Sequence, residues 1–160
     1  MNYRLLFVDV DGVLNGHERS WRDVPDYDPQ IEPRCVKAFN RIVRATECKL
    51  VLSSAWRNLI WQGHMSVYGF ERMLCSHGVR GHLISCTRSS GDDERWKEIA
   101  AWLDEPDWTR VTYRRGTVER YCILDDCSDA FGGRPGVRTN GWCGMTDEDA
   151  DKAIEILGAV

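Results

Sequence analysis

The sequence predicts an α/β fold built on a mostly parallel central sheet. Two observations carry that prediction: short apolar runs alternate along the chain with stretches of helical periodicity, and three of those runs stop at a cluster of polar residues. Neighbouring parallel strands must be joined by right-handed crossovers, so helices are expected on the sheet faces. In such sheets ligands bind beyond the carboxyl ends of the strands, which makes the polar clusters the place to look for chemistry.

Residues 4–8 read as a buried strand that delivers Asp9 and Asp11 at its end, with Gly12 and Gly16 marking a turn. Residues 18–33 are polar and rich in Asp and Pro, so an irregular excursion is expected there. Over residues 34–46 the apolar positions Val36, Phe39, Ile42 and Val43 fall on one helical face, and Pro33 suits the start of that helix. Residues 49–52 form a second buried strand ending in Ser53 and Ser54. Residues 59–74 read as helical in spite of Gly63 and Gly69, and residues 81–85 as a short strand.

A helix is expected over residues 92–103, with Trp96, Ile99, Ala100 and Leu103 on one face behind acidic residues that favour the positive end of a helix. After a polar connection over 104–119, residues 120–124 form a strand that ends in Asp125 and Asp126. A weak strand at 136–139 precedes Thr146, which caps a final acidic-led helix through Leu157.

A chain of 160 residues is the size of a single domain, taken here as 1–160, and 42% hydrophobic with 29% charged residues is a globular composition. The net charge of −4 provides no global positive field for a nucleic-acid backbone, so any such contact must be local. The apolar run after Met1 is too short for a leader or a membrane span, so a cytoplasmic location without membrane partners is expected. Seven cysteines without a CxxC pair point to reduced thiols.

Converging carboxylates repel one another and are tolerated when protonated or when a cation joins them. All-oxygen donors select magnesium, which commonly combines one or two carboxylates with phosphate oxygens, and this makes phosphoryl transfer the natural reaction. Asp9 and Asp11, two apart, share one face of a regular strand, so both can address one phosphate, one as attacker and the other as proton shuttle.

Residues 7–15 (FVDVDGVLN), 50–57 (LVLSSAWR) and 123–129 (ILDDCSD) resemble the motifs of the haloacid dehalogenase-like (HAD) phosphohydrolases. With residues 144–154, their wording looks most like the HAD domains associated with RNA-repair proteins. The resemblance implies a Rossmann-like three-layer α/β sandwich and a Mg2+-dependent phosphomonoesterase working through an aspartyl-phosphate. It implies Asp9 as nucleophile, Asp11 as general acid and base, and Ser53 with Ser54 on the transferring phosphoryl group. Magnesium would be held by Asp9, the Asp11 backbone carbonyl and Asp125, with Asp126 or Asp129 assisting. The third-motif cation falls on Arg95, with Lys97 as fallback, where related sequences carry a glycine at the position of Trp96.

The gaps 12–52 and 58–91 are too short for a large cap, so an open site is expected, suited to an oligonucleotide end or a nucleotide. A phosphotransferase and a non-catalytic binding domain of the same fold are the alternatives. Arg57 is a candidate to grip phosphate, and Trp56 reads as packing. Cys75, His77, His82 and Cys86 are zinc-ligand types, although Leu83 and Ile84 between them suggest a strand. Cys122 and Cys127 read as inert thiols. Arg110, Arg114, Arg115 and Arg120 around Tyr113 make the one basic stretch, either a nucleic-acid contact or a solvated loop.

Overall fold

The computed structural model describes residues 1–16, 28–91, 94–106 and 116–160. Among these, strands β1 (Asn2–Val8), β2 (Lys49–Leu52), β3 (Leu83–Cys86), β4 (Thr117–Asp125) and β5 (Gly136–Arg138) form one sheet in the order β3-β2-β1-β4-β5. Every neighbouring pair is parallel. The helices are α1 (Pro33–Thr46), α2 (Arg57–Trp61), α3 (Val67–Ser76), α4 (Arg95–Asp104) and α5 (Asp147–Leu157), with a 3₁₀ turn at Ser128–Ala130.

Alternation along β1 assigns the layers. Leu6 and Val8 face a core shared with Phe39 and Ile42 of α1, Phe70 of α3 and Ala150, Ala153 and Leu157 of α5. Leu5 and Phe7 face the opposite core, with Ile99 and Trp102 of α4 and Ala130 of the 3₁₀ turn. Phe7 lies edge-on to Trp102, ring centroids 5.5 Å apart, and to Tyr121 at 6.0 Å. Truncating so buried an aromatic typically costs about 3–5 kcal/mol, which marks Phe7 as a keystone of the second layer.

The chain steps outward from β1 through β2 to β3 and then returns to lay β4 against the other side of β1. Val10, Val13 and Leu14 after β1 pack in one layer, and Ala130 after β4 packs in the other. The carboxyl ends of β1 and β4 are therefore the switch point, the place where such sheets bind ligands. Register keeps the strand ends level: Asp9 N donates to Leu124 O at 3.0 Å, and Ser53 N donates to Val8 O at 2.9 Å.

Several boundaries and one helix face differ from expectation: β1 starts at Asn2, α4 runs Arg95–Asp104 and β5 ends at Arg138. The helix expected over 59–74 is two helices, because Gly63 turns to φ +78 and Ser66 starts α3 by accepting from Gly69 N at 2.9 Å. The strand expected at 81–85 starts two residues later, where Leu83 pairs with Leu50. β4 begins at Thr117, three residues early, because Thr117 and Val118 pair with Asn2 and Tyr3. The inward face of α4 consists of Glu98, Ile99 and Trp102, whereas Trp96, Ala100 and Leu103 are half-buried. A glutamate turns inward there because Arg57 meets it.

α5 starts as expected, in a capping box: Thr146 Oγ1 accepts from Asp149 N at 3.3 Å and Asp149 Oδ2 accepts from Thr146 N at 2.8 Å. All seven cysteines are free thiols, four of them buried. Among the described residues no helix is long and apolar enough to cross a membrane. Most of the polar excursion, together with Asp92, Asp93, Arg110, Tyr113, Arg114 and Arg115, lies outside the described residues, while Arg120 is an exposed residue of β4.

Candidate active site

At the switch point one guanidinium nitrogen joins two strands. Arg95 Nη1, in the first turn of α4, donates to Asp9 Oδ2 at 2.8 Å and to Asp125 Oδ2 at 2.5 Å. The remaining oxygens are held by backbone: Val10 N donates to Asp9 Oδ1 at 2.8 Å and Cys127 N to Asp125 Oδ1 at 2.9 Å. Asp9 is 5% exposed and Asp125 is fully buried.

Burial pushes the Asp9 carboxyl above its ordinary value, against the pull of Arg95. Burial, and then the charge of Asp9, push Asp125 up to about 7. Burial would lower the affinity of Arg95 for its proton, but the two carboxylates outweigh it and the net shift is upward. One cation against two buried acids leaves the cluster short of positive charge.

Asp11 follows on the turn after β1 and is held by two side chains. Trp56 Nε1 donates to its Oδ2 at 2.8 Å and Asn15 Nδ2 to its Oδ1 at 3.0 Å. Asn15 Oδ1 also accepts from Gly12 N at 2.9 Å, and Gly12 O accepts from Thr139 Oγ1 at 2.6 Å. Gly12 has φ +79, and a Cβ there would lie 2.5 Å from Asp126 Cγ, so the turn needs glycine for its conformation and for its closeness to β4. No role follows from the sequence for Asn15 or Thr139, and Trp56 reads there as packing. Asn15 and Trp56 follow closely on the polar ends of β1 and β2, whereas Thr139, the last residue of the strand expected at 136–139, carries no such signal.

Beyond β2, Ser53 Oγ is buried and has no hydrogen-bond partner among the described residues. Ser54 is buried beside it, and its carbonyl accepts from Arg57 N at 3.1 Å. Arg57 is a buried cation, not the exposed helix-start arginine that such positions commonly hold. Its Nη2 lies 2.9 Å from Glu98 Oε1 and 2.8 Å from Oε2, while Nε and Nη1 have no partner among the described residues. Burial lowers its proton affinity, and Glu98 acts in the opposite direction.

Lys97 turns elsewhere, with Nζ 3.6 Å from Glu94 Oε2 and 5.7 Å over the Trp96 ring. The zinc-ligand types do not gather: Cys75 is exposed on α3, His77 Nε2 lies 2.9 Å from Asp28 Oδ1, exposed His82 lies 4.0 Å from Glu71, and Cys86 is inside β3. Among the described residues, Asp125, Asp126 and Cys127 are the group whose ligand atoms all lie within 4.8 Å of one another. Burial and neighbouring carboxylates push the Cys127 thiol up to about 11, and burial pushes Cys122 up to about 12, so both stay protonated at neutral pH. Asp129 is exposed on the 3₁₀ turn.

The residues present fit a small hard dication. Asp9, Asp125 and half-buried Asp126 offer carboxylate oxygens at adjacent strand ends, and added positive charge offsets the burial that raises Asp9 and Asp125. A parallel five-stranded sheet with acids at its switch point defines a HAD-like Rossmann-type α/β domain. The chain belongs to the family described as the HAD domain in Swiss Army Knife RNA repair proteins, which it matches over residues 5–150. That span runs from β1 into α5 and contains every candidate site residue. A search of curated proteins returns no match.

Proposed function

We propose that this protein is a magnesium-dependent phosphomonoesterase that works through an aspartyl-phosphate on Asp9, with a phosphorylated nucleic-acid end or a nucleotide as substrate. The observation that carries the reading is Arg95 Nη1 shared between Asp9 and Asp125, next to the strand end where the Ser53 hydroxyl has no hydrogen-bond partner among the described residues. In this reading an Asp9 oxygen attacks phosphorus, the bond from phosphorus to the ester oxygen breaks, and that oxygen leaves with the electron pair and a proton from the Asp11 carboxyl. Water then attacks the phosphoryl group on Asp9 and gives its proton to Asp11 as the bond from phosphorus to the Asp9 oxygen breaks.

Ser53 Oγ and Arg57 Nε and Nη1, which have no partner among the described residues, serve the phosphoryl oxygens, and Arg95 neutralises charge between nucleophile and phosphate. The carboxylates of Asp9 and Asp125 and the Asp11 carbonyl are the groups that would hold magnesium, with Asp126 beside them. Bound there, the ion supplies Lewis-acid stabilisation of charge on the phosphoryl oxygens.

Two observations favour a substrate larger than a small metabolite. The stretch between Ser54 and Arg95 includes α2, α3 and β3, all packed on the core, which leaves little chain for a cap. Trp142, 67% exposed, stands on the loop after β5 that Thr139 ties to Gly12, and an exposed indole is a surface on which bases stack. The family's description, naming RNA repair, points the same way.

The test is hydrolysis of p-nitrophenyl phosphate with magnesium by the wild type and by Asp9→Asn, followed by a screen of 3′- and 5′-phosphorylated oligonucleotides, nucleoside monophosphates and sugar phosphates. Hydrolysis that survives Asp9→Asn defeats the mechanism. Equal rates across the screen defeat the nucleic-acid preference.

A further inference from the structure

We propose that Trp56 is a positioning residue: its indole N–H, opposite the Asn15 amide, fixes the Asp11 carboxyl in the orientation from which it hands a proton to the departing ester oxygen. The inference rests on the phosphatase reading above and assigns one side chain within it.

The carboxyl of an aspartate rotates easily about its last bond, over a broad two-fold well, so a proton donor on a turn needs outside constraints to hold its plane. Asp11 has two, one on each oxygen: Trp56 Nε1 on Oδ2 at 2.8 Å and Asn15 Nδ2 on Oδ1 at 3.0 Å. Each bond occupies one lone pair, and each oxygen keeps a second one on which the transferred proton can sit. The constraints come from opposite directions. Asn15 belongs to the same turn as Asp11 and is itself locked by Gly12 N at 2.9 Å.

Trp56, 45 residues away, stands at the head of α2, half-buried against the core beneath that helix. The indole therefore ties the Asp11 carboxyl to the strand end that carries Ser53, and one rigid unit holds the proton donor and the hydroxyl aimed at phosphate. A tryptophan placed only for packing needs no partner for its N–H on an acid of the site, and here its partner is the proton donor.

The chemistry supplies a readout that packing alone does not. Proton delivery matters when the leaving oxygen is a poor anion, as in an alkyl or ribonucleotide ester, and matters little for p-nitrophenolate, which departs unprotonated. Trp56→Phe removes the N–H and keeps an apolar ring. Its expected effect is a fall of roughly tenfold or more in kcat/KM on a nucleoside monophosphate, with kcat/KM on p-nitrophenyl phosphate, which reports only the steps through departure of the leaving group, changed by no more than about twofold. In an Asp11→Asn background the same substitution is expected to cost nothing further.

Equal losses of kcat/KM on both substrates in a folded Trp56→Phe variant, no loss of kcat/KM on either, or additive losses in the double variant would each overturn the assignment. If Trp56→Phe fails to fold, the indole 15N–1H resonances of the otherwise unaltered protein decide: Asp11→Asn should move one of them strongly, and an unmoved set overturns the bond. Failure of the underlying reading looks different, because the wild type then hydrolyses neither substrate in an Asp9-dependent way.

Discussion

The Arg57 guanidinium and the Glu98 carboxylate meet at 2.8 Å with side chains only 9% and 4% exposed, so α2 and α4 are joined by an ion pair that water barely reaches. Ser90 N also donates to Glu98 Oε1, at 3.2 Å, which brings the loop ahead of α4 into the same contact. Glu98 lies one turn beyond Arg95, and the pair thereby sets the angle at which α4 presents Arg95 to Asp9 and Asp125.

Removing one partner of a buried pair leaves the other uncompensated and typically costs about 3–5 kcal/mol. Glu98→Ala is expected to lower the melting temperature by about 10 °C. Replacing both partners, Arg57→Met with Glu98→Leu, is expected to recover most of that loss while activity stays impaired. Thermal melts of the three variants check this, and a single variant as stable as the wild type would contradict it.

Arg95→Met leaves Asp9 and Asp125 facing each other without their shared cation. The variant should be less stable than the wild type at pH 7.5 without metal and should recover at pH 5, where protonation of Asp125 relieves the repulsion. Arg95→Lys keeps a charge but loses the planar fork, so it should restore stability better than it restores turnover. Scanning calorimetry and steady-state rates on the two variants separate these outcomes.

The acid pair also sets a pH dependence for the metal-free protein. Asp125 rises from an ordinary 3.8 to about 7 in the fold, and Asp9 moves in the same direction. The folded state therefore binds more protons than the unfolded chain between these values. This contribution to stability is complete below the unfolded value and is lost as pH climbs through the folded one. Melting temperature should fall between pH 5 and pH 8 in chelator, and Asp125→Asn should flatten that slope.

Gly12→Ala combines a left-handed backbone with a collision, because its Cβ would lie 2.5 Å from Asp126 Cγ. Gly63→Ala, at φ +78 with nothing within 4 Å, carries the backbone strain alone and is the matched control. Position 63 should show a stability loss of about 1 kcal/mol, whereas position 12 should lose more stability and also magnesium-dependent activity. Equal effects at the two positions would show that the approach to Asp126 has no consequence.

Much of this architecture was legible from local pattern. β2 and α5 fall where alternation, helical periodicity and the Thr146 cap predicted them, α1 begins one residue early, and Asp9, Ser53 and Asp125 arrive together because parallel strands end at one level. What stayed hidden depends on partners distant in sequence. Glu98 counts as a polar, outward residue until Arg57, 41 positions earlier, is known to lie against it. The Trp56 indole looks like packing until the turn after β1 brings Asp11 within reach. The early start of β4 follows from pairing with Asn2 and Tyr3, which no local propensity encodes.

Three polar atoms at one end of the sheet, Ser53 Oγ and Arg57 Nε and Nη1, are buried and find nothing to bond among the described residues. Folded interiors satisfy nearly all such groups, so an oxyanion that accepts from these donors is expected to stabilise the fold. Such an anion acts as a folding ligand: at a hundredfold excess over its dissociation constant it adds about 2.7 kcal/mol of stability. Melting-point shifts with phosphate, vanadate or tungstate therefore reveal occupancy before any substrate is known, and the size of each shift ranks how well the anion fits.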